Sequence, residues 1–215
     1  WSISHNTKIH AQIFADDAWL CGASREDLQK LLHHAHQFFD FFKLSCNTSK
    51  SFYTTNDPNN QGDVHFRGAN NTAPAPLTKK SKSDPIRYLG YYFNLDLNWS
   101  YQADTITTKL RETLCTVQST TFNAFDMISA LNAVISGKLN YLLQIITPSP
   151  TQLKTWDTLI KEITRSKIRL GRSQPTLQIT TAKQSGGLGL TLPSEVYHAV
   201  LINETHIRLA GDGLG

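Results

Sequence analysis

Two adjacent carboxylates, Asp16 and Asp17, stand between two short apolar runs with no residue to space them. Upstream, Ile9, Ala11, Ile13 and Ala15 alternate with His10, Gln12 and Phe14, which is the period of a β-strand. Downstream, Ala18-Trp19-Leu20-Cys21 is short and apolar, and Gly22 closes it. The pattern predicts a β-hairpin with Asp16 and Asp17 at its tip, since Asp tolerates the positive φ that tight hairpin turns demand. Two carboxylates held together on a rigid element repel unless a cation sits with them. Mg2+ suits the place, because it takes one or two carboxylates and completes its shell with substrate phosphates. A pair of such ions supports in-line phosphoryl transfer. The competing reading is a solvated turn.

Ser24 is placed as an N-cap, with Glu26 and Asp27 opposing the helix dipole in the first turn. Leu28, Leu31, Leu32, Ala35, Phe38, Phe39 and Phe42 recur at three- and four-residue steps, so this helix has one apolar face to pack on the sheet bearing Asp16. His33, His34 and His36 do not share the i, i+4 spacing of a zinc helix and read as solvated or core-edge residues. Leu44 to Lys50 leads into a strand over Ser51–Thr55. From Asn56 to Asp84 the chain is loop-like, with a short strand at Val64-His65-Phe66. Lys79, Lys80 and Lys82 form a small basic run that reads best as a solvated loop. Ile86 to Leu97 is strand-like, with Gly90 in its middle where a bulge or a close backbone approach is favoured.

Beyond Trp99 the period becomes helical. Ile106, Leu110, Leu114 and Val117 mark one helix, and Ile128, Leu131, Ile135, Leu139 and Leu142 a second, which Pro148 stops. Ser149 and Pro150 fit the cap and first position of a third, whose apolar face is Leu153, Trp156, Ile160 and Ile163. Three helices with short links suggest a bundle. Between Trp99 and Arg172 nine basic residues face five acidic ones, an excess that equals the +4 formal charge of the whole chain. Lys161, Arg165 and Arg169 step by four, the spacing of a basic stripe able to follow a phosphate backbone. Cations near a helix C-terminus also favour its dipole without any ligand. Thr176–Thr180 reads as extended, and Val196–Leu209 as another helix.

Phe14-Ala15-Asp16-Asp17, then a helix, then Leu44-Ser45-Cys46-Asn47-Thr48-Ser49-Lys50, then Arg87-Tyr88-Leu89-Gly90-Tyr91, resembles the palm of a reverse transcriptase of the non-LTR (LINE-like) retrotransposons. Gly186-Gly187-Leu188-Gly189 is similar to a stretch that follows the thumb in such elements. The resemblance implies an α+β fold: a partial palm of antiparallel hairpins with a packed helix over residues 1–98, then a helical thumb-like bundle over 99–172. A post-thumb segment fills 173–215. It implies an RNA-directed DNA polymerase working through two Mg2+ ions on an RNA template, a DNA primer and deoxynucleoside triphosphates. Asp16 would be the primary metal ligand and Asp17 a supporting one. Lys50 would lie near the nucleotide's phosphates, where a surface lysine flanking a strand is the plain alternative. Tyr88, Leu89 and Gly90 would form a primer-grip-like hairpin, against the alternative of aromatic packing without primer contact.

A palm of this family needs a further Asp and a fingers region upstream. The chain begins at Trp1 in mid-architecture, so a fragment of a longer reading frame, inactive alone, is expected. Two other functional classes remain open: a non-catalytic nucleic-acid-binding relic of the palm-thumb fold, and a structural protein in which Asp16 and Asp17 only cap a turn. The three cysteines, Cys21, Cys46 and Cys115, are odd in number and make no CxxC pair, which fits reduced thiols in an intracellular compartment. Four sequon matches, at Asn47, Asn70, Asn98 and Asn203, read as chance. A hydrophobic content of 40% with 18% charged residues describes a globular chain, and no run approaches the ~20 apolar residues of a membrane span.

Overall fold

A computed structural model describes residues 11–59, 62–67, 73–171 and 175–211. Ile9 and His10 of the expected first strand, the Asn70 sequon and Arg172 lie outside them. The chain divides into two compact units, Trp1–Asn98 and Trp99–Gly215. The fold is α+β, with small hairpins in the first unit and six helices among the described residues. None of those helices is long and apolar enough to cross a membrane.

In the first unit β1 (Ala11–Phe14) and β2 (Asp17–Leu20) form an antiparallel ribbon. Helix α1 (Arg25–Phe41) follows, with the Ser24 hydroxyl accepting from the Asp27 N–H at 3.1 Å, the N-cap read from sequence. β3 (Phe52–Thr54) pairs with β6 (Thr78–Lys80), and β4 (His65–Phe66) with β5 (Ala75–Pro76). The β3–β6 pair is parallel, unlike the antiparallel hairpins expected, because the long connection between them returns the chain in the same direction. Ile86–Leu97 is not one strand but a hairpin of β7 (Ile86–Tyr88) and β8 (Tyr91–Phe93). Among the described residues these strands form four separate two-stranded ladders.

The core of this unit is small. Leu32 of α1 meets Tyr53, Val64, Phe66 and Leu77, and Leu20 of β2 and Phe39 of α1 pack at its edge. Burial pushes the Tyr53 phenol up, helped by the negative charge of Asp63. A side chain replaces a missing strand partner here. The Gln29 amide donates to the His65 carbonyl at 2.7 Å and accepts from the His65 N–H at 2.9 Å, which fastens α1 to the edge of β4.

The second unit is better filled. α2 (Ser100–Ser119) buries Ile106, Leu110, Leu114 and Val117, and α3 (Ala124–Leu142) buries Ile128, Leu131, Ile135 and Leu139. α3 ends at Leu142, before Pro148 is reached, with Leu143 as its C-cap. α4 (Pro150–Lys167) opens with Ser149 and Gln152 in a reciprocal capping box and Pro150 in the first turn. Residues beyond 172 belong to the same unit. Ile179, Leu190, Leu192, Val196, Tyr197 and Val200 share one core with the three long helices. Thr176–Thr180, expected to be extended, contains the short helix α5 (Leu177–Thr180), and α6 spans Pro193–Gly211.

Long-range polar contacts fasten this bundle. The Lys167 ammonium donates to the carbonyls of Gln118, at 2.7 Å, and Thr120, so it caps the C-terminus of α2 from α4. The Asp157 carboxylate accepts from the Ser194 hydroxyl at 2.6 Å and N–H at 3.1 Å, at the positive N-terminus of α6. The Asn132 amide on α3 donates to the Gly189 carbonyl at 2.7 Å and accepts from the Thr191 N–H at 2.8 Å.

Candidate active site

The β1–β2 register sets Phe14 opposite Asp17, so the two-residue loop is Ala15-Asp16 and Asp17 already belongs to β2. This corrects the expectation that both carboxylates occupy the tip. The positive φ of the turn, +52°, also falls on Ala15 rather than on an Asp. An L-residue with a Cβ pays roughly 1–2 kcal/mol there. Ala15→Gly is therefore expected to stabilise the ribbon by about 1 kcal/mol, because glycine removes that clash at the cost of a more flexible unfolded chain. Amide exchange across the Ile13–Ala18 pair reads the effect; unchanged protection would show the turn to be relaxed.

Asp16 and Asp17 are both exposed, and neither carboxylate has a hydrogen bond or ion pair with another described residue. They supply hard oxygen donors open to solvent, which fits part of a Mg2+ shell. Among the described residues, no group of three or more His, Cys, Asp or Glu side chains converges on a possible metal position. The donor set suits Mg2+ but needs further oxygen ligands.

What holds this hairpin is an aromatic contact. Asp17 and Trp19 lie two residues apart on β2 and so share a face. The Trp19 ring packs on Tyr88 at 5.6 Å and on Phe93 at 5.5 Å, both on the β7–β8 hairpin. Leu20, on the opposite face of β2, anchors to the α1 core. The turn of the second hairpin is Leu89-Gly90, with φ of +49° and +84°, the positive pair that a type I′ turn requires. Gly90 is thus a turn residue and not the mid-strand glycine expected from sequence. Trp19 was not singled out in the sequence, although its i+2 relation to Asp17 is the signal that marks it.

Lys50 is exposed and ends a tight turn built by Asn47. The Asn47 side-chain oxygen accepts from the Ser49 hydroxyl at 2.7 Å and N–H at 3.1 Å, and its carbonyl accepts from the Lys50 N–H at 3.2 Å. Asp16, Asp17, Asn47, Lys50 and Tyr88 all line one open concavity of about 2150 Å3, together with Arg87.

The basic residues on α4 do not form the expected stripe. Lys161 and Arg165 lie one turn apart, but the Arg165 guanidinium donates to the Thr176 hydroxyl at 3.0 Å and the Gly171 carbonyl at 2.8 Å. Arg169 lies past the helix end with φ +56°. Its N–H bonds to the Ser166 carbonyl and the Leu170 N–H to that of Arg165, which is a Schellman closure with Arg where Gly is usual. The helical step of four therefore stops at Arg165, and Arg169 belongs to the loop. Compared with protein-family models, curated proteins and solved structures, the chain matches none.

Proposed function

We propose that residues 1–98 are the C-terminal part of a reverse-transcriptase palm and that the helices over 99–172 are its thumb, followed by a post-thumb segment, in a polymerase of the non-LTR retrotransposon type. The observation that carries this reading is the Trp19 contact. It packs the hairpin bearing Asp16 and Asp17 against the hairpin bearing Tyr88-Leu89-Gly90, the two parts a nucleotidyl transferase needs side by side. The lining of one concavity by Asn47 and Lys50 as well supports it.

In this reading Asp16 and Asp17 hold Mg2+, which when bound would neutralise phosphate charge and acidify the primer's 3′-hydroxyl. Lys50 offsets charge on the nucleotide's phosphates and protonates the leaving pyrophosphate. The Tyr88-Leu89-Gly90 hairpin orients the primer end, and Trp19 keeps it in register with the carboxylates. A third carboxylate and the fingers come from elsewhere in the polypeptide. Binding of Mn2+ in the presence of a deoxynucleoside triphosphate tests the site. Asp16→Asn is expected to weaken it at least tenfold, on the order of one lost charged ligand, and unchanged binding would remove the metal role.

A second reading is a nucleic-acid-binding relic of the palm-thumb fold without catalysis, which would bind RNA or hybrid duplex with a salt-sensitive affinity and show no metal-dependent synthesis. Primer extension separates the two only in one direction. This chain alone is expected to incorporate no nucleotide; incorporation that Asp16→Ala and Asp17→Ala abolish would show that no further carboxylate is required.

A further inference from the structure

Lys50, the cation assigned to the nucleotide's phosphates, lies in a stretch without helix or strand. A lysine ammonium rides on a flexible four-carbon stem, so its reach depends on where the backbone holds its Cα. Both flanks of this stretch are pinned. Cys46 packs against the core of the first unit, and Tyr53 of β3 is part of that core. Phe52 opens β3 opposite Thr78 of β6, with the Lys80 ammonium 3.9 Å from the centre of its ring.

Between those anchors the turn closes on two oxygens of Asn47. The side-chain oxygen accepts from the Ser49 N–H at 3.1 Å and hydroxyl at 2.7 Å. The carbonyl accepts from the Lys50 N–H at 3.2 Å and the Ser51 hydroxyl at 2.9 Å. The Ser51 N–H bonds to the Thr48 carbonyl at 3.2 Å. Ser49, Lys50 and Ser51 are thus each tied back to Asn47 or its neighbour. An Asn side chain that replaces a backbone acceptor in this way makes an Asx turn. Alanine at this position would keep the carbonyl but lose the other oxygen, which releases Ser49, the residue next to Lys50. The Ser49 N–H requires oxygen at that end of the amide, so the acceptor of Asn47 is committed to the turn. Asn47 and Lys50 line the same concavity as Asp16 and Asp17.

We propose that Asn47 is the positioning residue of Lys50: through the turn it fixes the lysine where its ammonium meets the outer phosphates of a nucleoside triphosphate. The inference deepens the polymerase reading and rests on the role given there to Lys50. It needs no contact between Asn47 and the nucleotide. Equilibrium binding of a deoxynucleoside triphosphate with Mn2+, and of the corresponding monophosphate, to the whole chain tests it. Lys50→Ala and Asn47→Ala are each expected to weaken the triphosphate about tenfold, the loss of one charge-assisted contact, and to leave the monophosphate unchanged. The double variant should bind no more weakly than Lys50→Ala, because a residue acting through another has nothing left to position. Asn47→Asp keeps the acceptor oxygen and should retain amide-exchange protection at Ser49 and Lys50, which Asn47→Ala loses. Wild-type triphosphate affinity in Asn47→Ala would overturn the inference and leave the role of Lys50 in place. So would a double variant weaker than Lys50→Ala, which would make Asn47 a direct ligand of the nucleotide. Wild-type affinity in Lys50→Ala would overturn the polymerase role of Lys50, and this inference with it.

Discussion

Trp156→Ala is expected to destabilise the second unit by about 3–5 kcal/mol, the range for removing a buried aromatic side chain from a close-packed core. Trp156 is 1% exposed in the middle of α4, inside the cluster formed by α2, α3 and α6. Its indole N–H also donates to the Thr107 hydroxyl at 2.8 Å, while that hydroxyl donates to the Ala103 carbonyl at 2.9 Å. The indole therefore fills volume and satisfies its own polar atom through α2. Typical domains hold only about 5–15 kcal/mol in total, so a loss of this size approaches the whole stability of a unit. Urea unfolding followed by far-UV circular dichroism reads the effect. Trp156→Phe separates the parts, since it keeps most of the packing and loses the hydrogen bond, at an expected cost of about 1–2 kcal/mol. A cost below about 1 kcal/mol for the alanine variant would mean that α4 does not centre this core.

Asn132→Ala ranks next. The Asn132 side chain joins α3 to the glycine-rich loop by two bonds, to the Gly189 carbonyl and from the Thr191 N–H. Both backbone groups are in a partly buried region, where an unsatisfied donor or acceptor costs about 1–3 kcal/mol. The loop cannot relax easily. Gly186 and Gly189 have φ of +81° and +70°, and a Cβ on Gly187 would run into the Thr181 carbonyl oxygen. A loss of about 2–4 kcal/mol is expected, with Leu190 and Leu192 becoming accessible to amide exchange first. A loss confined to a few tenths of a kcal/mol would show that water replaces the amide without penalty.

Local signals in the chain read well. Ser24 and Ser149 cap the helices that their positions announce, and the apolar steps from Ile106 to Val117 and from Leu153 to Ile160 fall on buried faces. These features depend on residues within one or two turns, where side-chain spacing and capping chemistry decide the outcome. Features set by distant partners did not read. The β3–β6 pair joins Phe52 to Thr78 in parallel, a register that no periodicity encodes. The turn at Leu89-Gly90 places a leucine at positive φ, where turn statistics favour Asn, Asp or Gly, so the residue pattern alone read as one strand, whereas the hairpin that the resemblance implied at these residues is present.

The candidate site follows the same division. The carboxylates were legible as an adjacent pair, because adjacency is local. Which of them would take the strained turn position was not legible, since Ala15 does so in place of an Asp. The roles of Trp19 and Arg165 depend on Tyr88, Phe93, Thr176 and Gly171, residues brought near by the fold.

The central claim is that the Asp16-Asp17 hairpin and the Tyr88-Leu89-Gly90 hairpin form one metal-and-nucleotide site. Affinity cleavage tests it directly: Fe2+ replaces Mg2+ in the presence of a deoxynucleoside triphosphate, and ascorbate then drives backbone scission beside the bound ion. Cuts within Phe14–Asp17 and a second set within Tyr88–Tyr91 are expected, both suppressed by excess Mg2+ and both absent in the Asp16→Asn, Asp17→Asn variant. Cleavage elsewhere in the chain, or the same cuts in that variant, would contradict the claim.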